Sequence, residues 1–172
     1  KAGLKPGQRL FINGCSGSVG ESAVQIGCML GATVSGSCSA DSAQRARDLG
    51  VETVFDYRTT DLSKLGERYD VVYDTSATME VAVGLGLLRK GGVFLDINPT
   101  PIKFIRALFN RRLKPIVCTA RADILDGLAR AAGEGKLKLQ IAKIVPLKDA
   151  IPLVTALEQG RKLNGKGLVS IG

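Results

Sequence analysis

The chain has no histidine and no tryptophan, and it carries five phenylalanines, three tyrosines and two methionines among 172 residues. Its four cysteines, Cys15, Cys28, Cys38 and Cys118, are spread so that no two fall at metal-clip spacing. A zinc site built by this chain alone is therefore not expected, because zinc draws its ligands from clusters of cysteine, histidine and carboxylate. Long apolar runs are missing too. The longest unbroken apolar-plus-glycine stretch is Val81–Leu88, far short of the roughly 20 residues that cross a bilayer. With no signal-peptide pattern at the start, the thiols are expected to stay reduced and the protein to be cytoplasmic. The opening Lys1-Ala-Gly-Leu-Lys-Pro-Gly7 reads as a linker, so the chain is expected to be a fragment of a longer protein.

Glycine and positive charge are what the sequence has in plenty. The twenty-one glycines are not periodic, which excludes collagen and implies many tight turns. Hydrophobic residues make up 45% and charged residues 23%, which suits one globular domain and excludes wholesale disorder. Twenty-four Lys and Arg against sixteen Asp and Glu leave +8. Lys103, Arg106, Arg111, Arg112 and Lys114 share one acid-free segment, and Arg161, Lys162 and Lys166 form a second basic group. A basic balance suits nucleic acid, an anionic membrane or a phosphorylated ligand. The scarcity of aromatics and the absence of zinc-finger or basic-zipper patterns argue against nucleic acid, and a solvated basic face is the plainer reading.

Apolar periodicity alternates along the chain. Arg9–Asn13 reads as a buried strand, Ser18–Leu30 as a helix stopped by Gly31, Thr33–Ser37 as a strand, and Ala40–Leu49 as a helix ended by Gly50. Thr53–Phe55 and Asp70–Tyr73 follow as strands, then a helix over Met79–Leu88 closed by Gly91-Gly92, and a strand over Val93–Ile97. Pro115–Cys118, Ile141–Val145 and Gly167–Ile171 are further strands; Ala122–Ala132 and Leu147–Leu157 are helices. Strands alternating with helices predict an α/β fold with a parallel sheet covered on both faces.

Between the first strand and first helix lies Gly14-Cys-Ser-Gly17-Ser-Val-Gly20. A tight turn there exposes backbone N–H groups at a helix N-terminus, where the dipole favours a pyrophosphate and side chains would block its approach. A glycine turn with no ligand is the alternative. About 20 residues further on, an acid would grip a ribose 2′-hydroxyl. That position is Ser39, with Asp41 two residues later. Small hydroxylated residues leave room for a 2′-phosphate, and Arg45, Arg47 and Arg58 are near enough to pair with it, so NADPH is favoured over NADH. Arg45 and Arg47 suit solvated helix positions equally well.

Leu4-Lys-Pro-Gly7, the glycine turn, Ala23-Val-Gln-Ile26, Leu49-Gly50, Val54-Phe-Asp-Tyr-Arg58, Tyr69–Asp74, Leu88-Arg-Lys-Gly-Gly92 and Gly165-Lys-Gly167 together carry a resemblance. The chain resembles the cofactor-binding domain of the medium-chain dehydrogenase/reductase (zinc-type alcohol dehydrogenase) superfamily, nearest its quinone oxidoreductase-like branch. That implies a Rossmann-type, doubly wound parallel sheet across residues 1–172. It also implies an absent N-terminal catalytic domain, a 141–172 tail packing back toward that domain, and a homodimer. By the resemblance, Ser16, Gly17, Ser18, Val19 and Gly20 hold the dinucleotide pyrophosphate. Ser37, Ser39, Tyr57 and Arg45 are candidates for the 2′-phosphate, and Ser42 stands where similar reductases often carry a lysine. Asp74, Thr75 and Ser76 pass under the ribose, and Ile97 and Asn98 lie near the nicotinamide. Ile102, Ile105, Leu108 and Phe109 share one helical face, which suits a lid or dimer contact better than a membrane-surface helix. The implied reaction is hydride transfer between NADPH and a small molecule, namely a quinone, enone, aldehyde or alcohol. No general acid stands out, and the tyrosines suit packing, so the isolated chain is expected to bind cofactor without turnover. A non-catalytic dinucleotide-binding scaffold or sensor is the competing expectation.

Overall fold

A computed structural model describes residues 1–66, 68–119, 121–161, 163 and 165–171. Lys162 of the second basic group lies outside them. Strand β1 (Arg9–Asn13) runs through the middle of the sheet with Leu10, Phe11 and Ile12 all buried. Alternate side chains of a strand point to opposite faces. Leu10 and Ile12 thus enter one core with Val24, Val34 and Val71, and Phe11 enters a second with Tyr69, Val72, Phe94 and Leu113. A continuous apolar run buried on both sides is what a parallel sheet demands.

The chain continues through α1 (Ser18–Met29), β2 (Thr33–Cys38), α2 (Ala43–Asp48), β3 (Thr53–Asp56), β4 (Tyr69–Asp74) and α3 (Val81–Gly86). Then come β5 (Leu88–Asp96), α4 (Pro101–Phe109), β6 (Leu113–Pro115) and α5 (Ala122–Gly133), followed by β7 (Ile141–Pro146), α6 (Ala150–Glu158) and β8 (Lys166–Ser170). Six strands pair in the order β3-β2-β1-β4-β5-β6, all parallel. α1 and α2 cover one face through Val24 and Ala46, while α3 and α4 cover the other through Val81, Val83, Leu85 and Ala107. This is the expected Rossmann-type doubly wound fold, and its order reverses between β1 and β4.

Several boundaries differ from those read in the sequence. The helix expected over Met79–Leu88 is confined to Val81–Gly86, because Leu88 already pairs with Tyr69 as the first residue of β5. Residues 89–92 then bulge out before Val93 pairs with Val71, so Gly91-Gly92 sits inside a strand instead of closing a helix. Backbone crowds the bulge, and a Cβ on Gly92 would lie 2.9 Å from the Asp70 carbonyl oxygen. The strand expected over Pro115–Cys118 falls at Leu113–Pro115, anchored by the buried Leu113 opposite Phe94. The helix after β2 begins as a 3-10 turn over Ala40–Ser42, and a second such turn at Leu62–Leu65 starts where the Asp61 carboxylate accepts from the Ser63 N–H at 3.1 Å.

The amphipathic segment forms α4, with Ile102, Ile105, Leu108 and Phe109 all exposed. Its basic residues are only partly a solvated face. Lys103 is paired with the buried Asp96, and Arg112 Nη2 donates to the carbonyls of Leu88 at 2.9 Å and Arg89 at 3.2 Å. The tail forms a separate parallel pair, β7-β8. Two bonds between Gln25 and the Lys138 backbone, at 3.0 and 2.7 Å, tie the segment that leads into β7 to α1. Among the described residues no helix is long and apolar enough to cross a membrane.

Arg112 holds carbonyls of the bulged stretch that opens β5. Arg112→Met keeps the apolar stem and leaves them without this donor, so urea denaturation should show a loss of about 1–3 kcal/mol.

Candidate functional site

Asp74 closes β4 with its side chain fully buried, at 0% exposure. Oδ1 accepts from Asn13 Nδ2 at 2.9 Å, from the Ser76 N–H at 3.2 Å and from Ser76 Oγ at 3.0 Å, and Oδ2 accepts from the Met79 N–H at 3.0 Å. Asn13 ends β1 and is equally committed. Its Oδ1 accepts from Ser37 Oγ at 2.6 Å, and its Nδ2 also reaches Ser76 Oγ at 2.8 Å and Thr78 Oγ1 at 3.1 Å. The carboxyl ends of β1, β2 and β4 are thereby joined by side chains as well as by the sheet. A positive φ of 60° at Ala77 turns the loop so that Ser76 and Thr78 bring their hydroxyls within 2.8 Å of each other.

Above this floor the chain leaves β1 through the glycine turn. The N–H groups of Gly14 and Cys15 both donate to the Ser37 carbonyl at 3.0 Å, and Gly17 N–H donates to the Gly14 carbonyl at 3.0 Å. Gly14 has φ 81°, a left-handed conformation that disfavours any side chain. A Cβ on Gly20 would lie 2.0 Å from the Gly14 carbonyl oxygen, whereas one on the exposed Gly17 would meet that oxygen at 3.3 Å. Gly20 is therefore required by packing, whereas Gly17 faces solvent with one close backbone neighbour. No side chain caps the start of α1, so its first N–H groups are open to an anion.

A cleft of about 970 Å³ opens over the turn. Of the residues expected to bind cofactor, Ser16, Gly17, Ser37, Ser39, Arg45, Tyr57, Thr75 and Ser76 line it together. Ser18, Val19 and Gly20 stand beside it at the head of α1, and Asp74 lies beneath it. Ile97 and Asn98 follow β5, and they are not among the lining residues. Sequence reasoning missed Asn13, Thr60, Thr78 and Leu163, all of which line the cleft, and Ser42, noted only as the counterpart of a lysine, lines it too. The signal for Asn13 was a polar residue ending an otherwise apolar strand. Leu163 reaches the cleft from the tail and had no local signal.

Arg45 is paired with Glu21, a carboxylate in the first turn of α1 that is only 8% exposed. Burial pushes the Glu21 carboxyl above its usual range, against the opposing pull of Arg45 and Lys166. Arg47 and Arg58 are not among the lining residues; Arg58 lies over the Tyr57 ring instead. Burial also pushes the Cys15 thiol well above the ordinary thiol range, reinforced by the adjacent Cys38. The donor set for a metal is lacking: among the described residues no three of His, Cys, Asp or Glu come together.

Residues 49–169 match the family described as zinc-binding dehydrogenase. The chain is 28% identical over 152 residues to the chloroplast envelope quinone oxidoreductase homolog of Arabidopsis thaliana, covering 82% of this chain and 46% of that protein. It is 30% identical over 169 residues to 2-haloacrylate reductase of a Burkholderia species, with 86% and 51% covered. The solved quinone oxidoreductase of Coxiella burnetii superposes with a TM-score of 0.83 at 23% identity, over 99% of this chain and 55% of that one. The chain thus spans about half the length of these curated relatives.

Asp74 accepts from donors on both oxygens, so an amide there sets N–H against N–H. Asp74→Asn should cost about 1–3 kcal/mol in denaturant unfolding.

Proposed function

The chain belongs to the zinc-binding dehydrogenase family, and on that premise we propose that it is the nicotinamide-dinucleotide-binding part of an oxidoreductase. One observation carries the reading: the glycine turn, the uncapped start of α1 and a hydroxyl-lined cleft meet at the carboxyl ends of β1, β2 and β4. That is where open α/β sheets bind their ligands.

In this reading the backbone of Ser16 and Gly17 and the first N–H groups of α1, at Ser18 and Val19, take the pyrophosphate, while Gly20 keeps turn and helix in contact. Ser39, Ser42, Arg45 and Tyr57 recognise a 2′-phosphate, which makes NADPH the preferred cofactor over NADH. Ser37, with its hydroxyl given to Asn13, shapes the floor. Thr75 and Ser76 lie under a ribose, with Asp74 orienting Ser76, and Ile97 and Asn98 face the nicotinamide end. When bound, the nicotinamide supplies the hydride; the substrate class is a quinone, enone, aldehyde or alcohol. The chain's own part is to bind and orient. No step is assigned to zinc, because the ligands present do not fit it. The exposed face of α4 serves as a lid or a contact in a homodimer, and a reducing, cytoplasmic setting belongs to the same reading.

Titrating the chain with NADPH and NADH at fixed salt, followed by cofactor fluorescence, should give tighter binding of NADPH. Tighter NADH would move the ribose contact to Asp41, and binding of neither would overturn the reading. Gly17→Val should weaken both cofactors by about a hundredfold or more while the chain stays folded with a modestly lowered thermal melt, because its Cβ presses the Gly14 carbonyl at 3.3 Å and its methyls occupy the approach. Equal binding by wild type and Gly17→Val would misplace the site.

A further inference from the structure

The motif Gly165-Lys-Gly167 is built with care that a solvated strand end does not need. Gly165 has φ 137°, and a Cβ there would lie 2.5 Å from the Gln140 carbonyl oxygen. Lys166 N–H donates to that same carbonyl at 2.7 Å, which fixes where β8 begins. From this point the Lys166 side chain crosses to the opposite end of the sequence and donates from Nζ to Ser18 Oγ at 2.9 Å. Ser18 is the first residue of α1.

Glu21, one turn further along α1, is paired with Arg45. Arg45 and Lys166 both act on the Glu21 carboxyl electrostatically. The buried Glu21 is thus paired with Arg45, while Lys166 reaches the first residue of the same helix turn. A neutral hydroxyl is a weaker acceptor for an ammonium than a phosphate oxygen is. Lys166 also carries a flexible four-carbon stem, so a small rotation can exchange one partner for the other.

We propose that Lys166 is a contact to the dinucleotide pyrophosphate supplied by the C-terminal strand, so that docking of the β7-β8 pair and cofactor binding are one coupled event. The inference rests on the cofactor reading above and adds a residue and a linkage to it. The pyrophosphate is common to both cofactors, whereas Arg45, which lines the cleft with Ser39, Ser42 and Tyr57, is read as a 2′-phosphate contact. The two cations thus have separable signatures. Coupling is reciprocal: cofactor that grips Lys166 also holds β8 on α1.

The test measures NADPH and NADH affinities of the wild-type chain, Lys166→Met, Lys166→Arg, Arg45→Met and, as a charge-matched control on the same two-stranded sheet, Lys143→Met. Hydrogen exchange of β8 is followed with and without NADPH. Lys166→Met should weaken NADPH and NADH by the same factor, about tenfold, and flatten the salt dependence. Lys166→Arg should restore most of the affinity, Lys143→Met should bind as wild type, and Arg45→Met should weaken NADPH selectively. NADPH should slow exchange of β8 in wild type and not in Lys166→Met. Affinity of Lys166→Met within twofold of wild type overturns the proposal, as does equal weakening by Lys166→Met and Lys143→Met. A wild-type chain that binds neither cofactor fails the earlier reading instead, and is told apart by that first titration.

Discussion

A carboxylate without access to water governs the carboxyl edge of the sheet. Burying a charge is costly unless polar partners replace its hydration, and Asp74 obtains them from Asn13, Ser76 and Met79, with no cation paired to it among the described residues. Asp96, its neighbour in register on β5, solves the same problem by pairing with Lys103 from α4. The difference shapes the molecule. Neutral donors around Asp74 lock the ends of β1, β2 and β4 and the loop into α3 while leaving open space above. The lysine on Asp96 instead draws a helix down onto the strand end.

The alternation of strands and helices was legible because it rests on local patterning. Leu10, Phe11 and Ile12 form an apolar run that needs burial on two sides, and Gly31 and Gly50 stop helices by their own backbone freedom. Boundaries set by distant partners were not legible. The start of β5 depends on Tyr69 accepting Leu88 as its neighbour, and the placement of β6 depends on the burial of Leu113 opposite Phe94. The cleft followed the same division. The glycine turn and Ser39 announced themselves by spacing, whereas Asn13, Thr78 and Leu163 lie there because the topology brings them. Arg45 was found in the sequence, but its buried partner Glu21 was not, since an acid in a first helical turn looks like an ordinary response to the helix dipole.

The formal charge of +8 also has a different meaning in three dimensions. Lys103, Arg45 and Arg89 are each held by a carboxylate that is itself buried, and Arg112 is given over to backbone carbonyls. Lys103 and Arg112 are internal fittings that orient a helix and a strand end, whereas Arg45 keeps a face on the cleft while it is held by Glu21. The positive charge open to a partner is correspondingly smaller than the sum suggests, and it is distributed over separate elements.

The four thiols divide the same way. Cys15 lies within the glycine turn with no exposed surface and Cys38 is buried beside it, whereas Cys28 and Cys118 are exposed. An alkylating reagent in the cold therefore meets two accessible sulfurs and two sequestered ones. Because a thiol must be both uncovered and ionised to react, slow modification of Cys15 times the spontaneous opening of the turn itself. The protein thus carries its own chemical clock for the breathing of the segment over which its cleft is built.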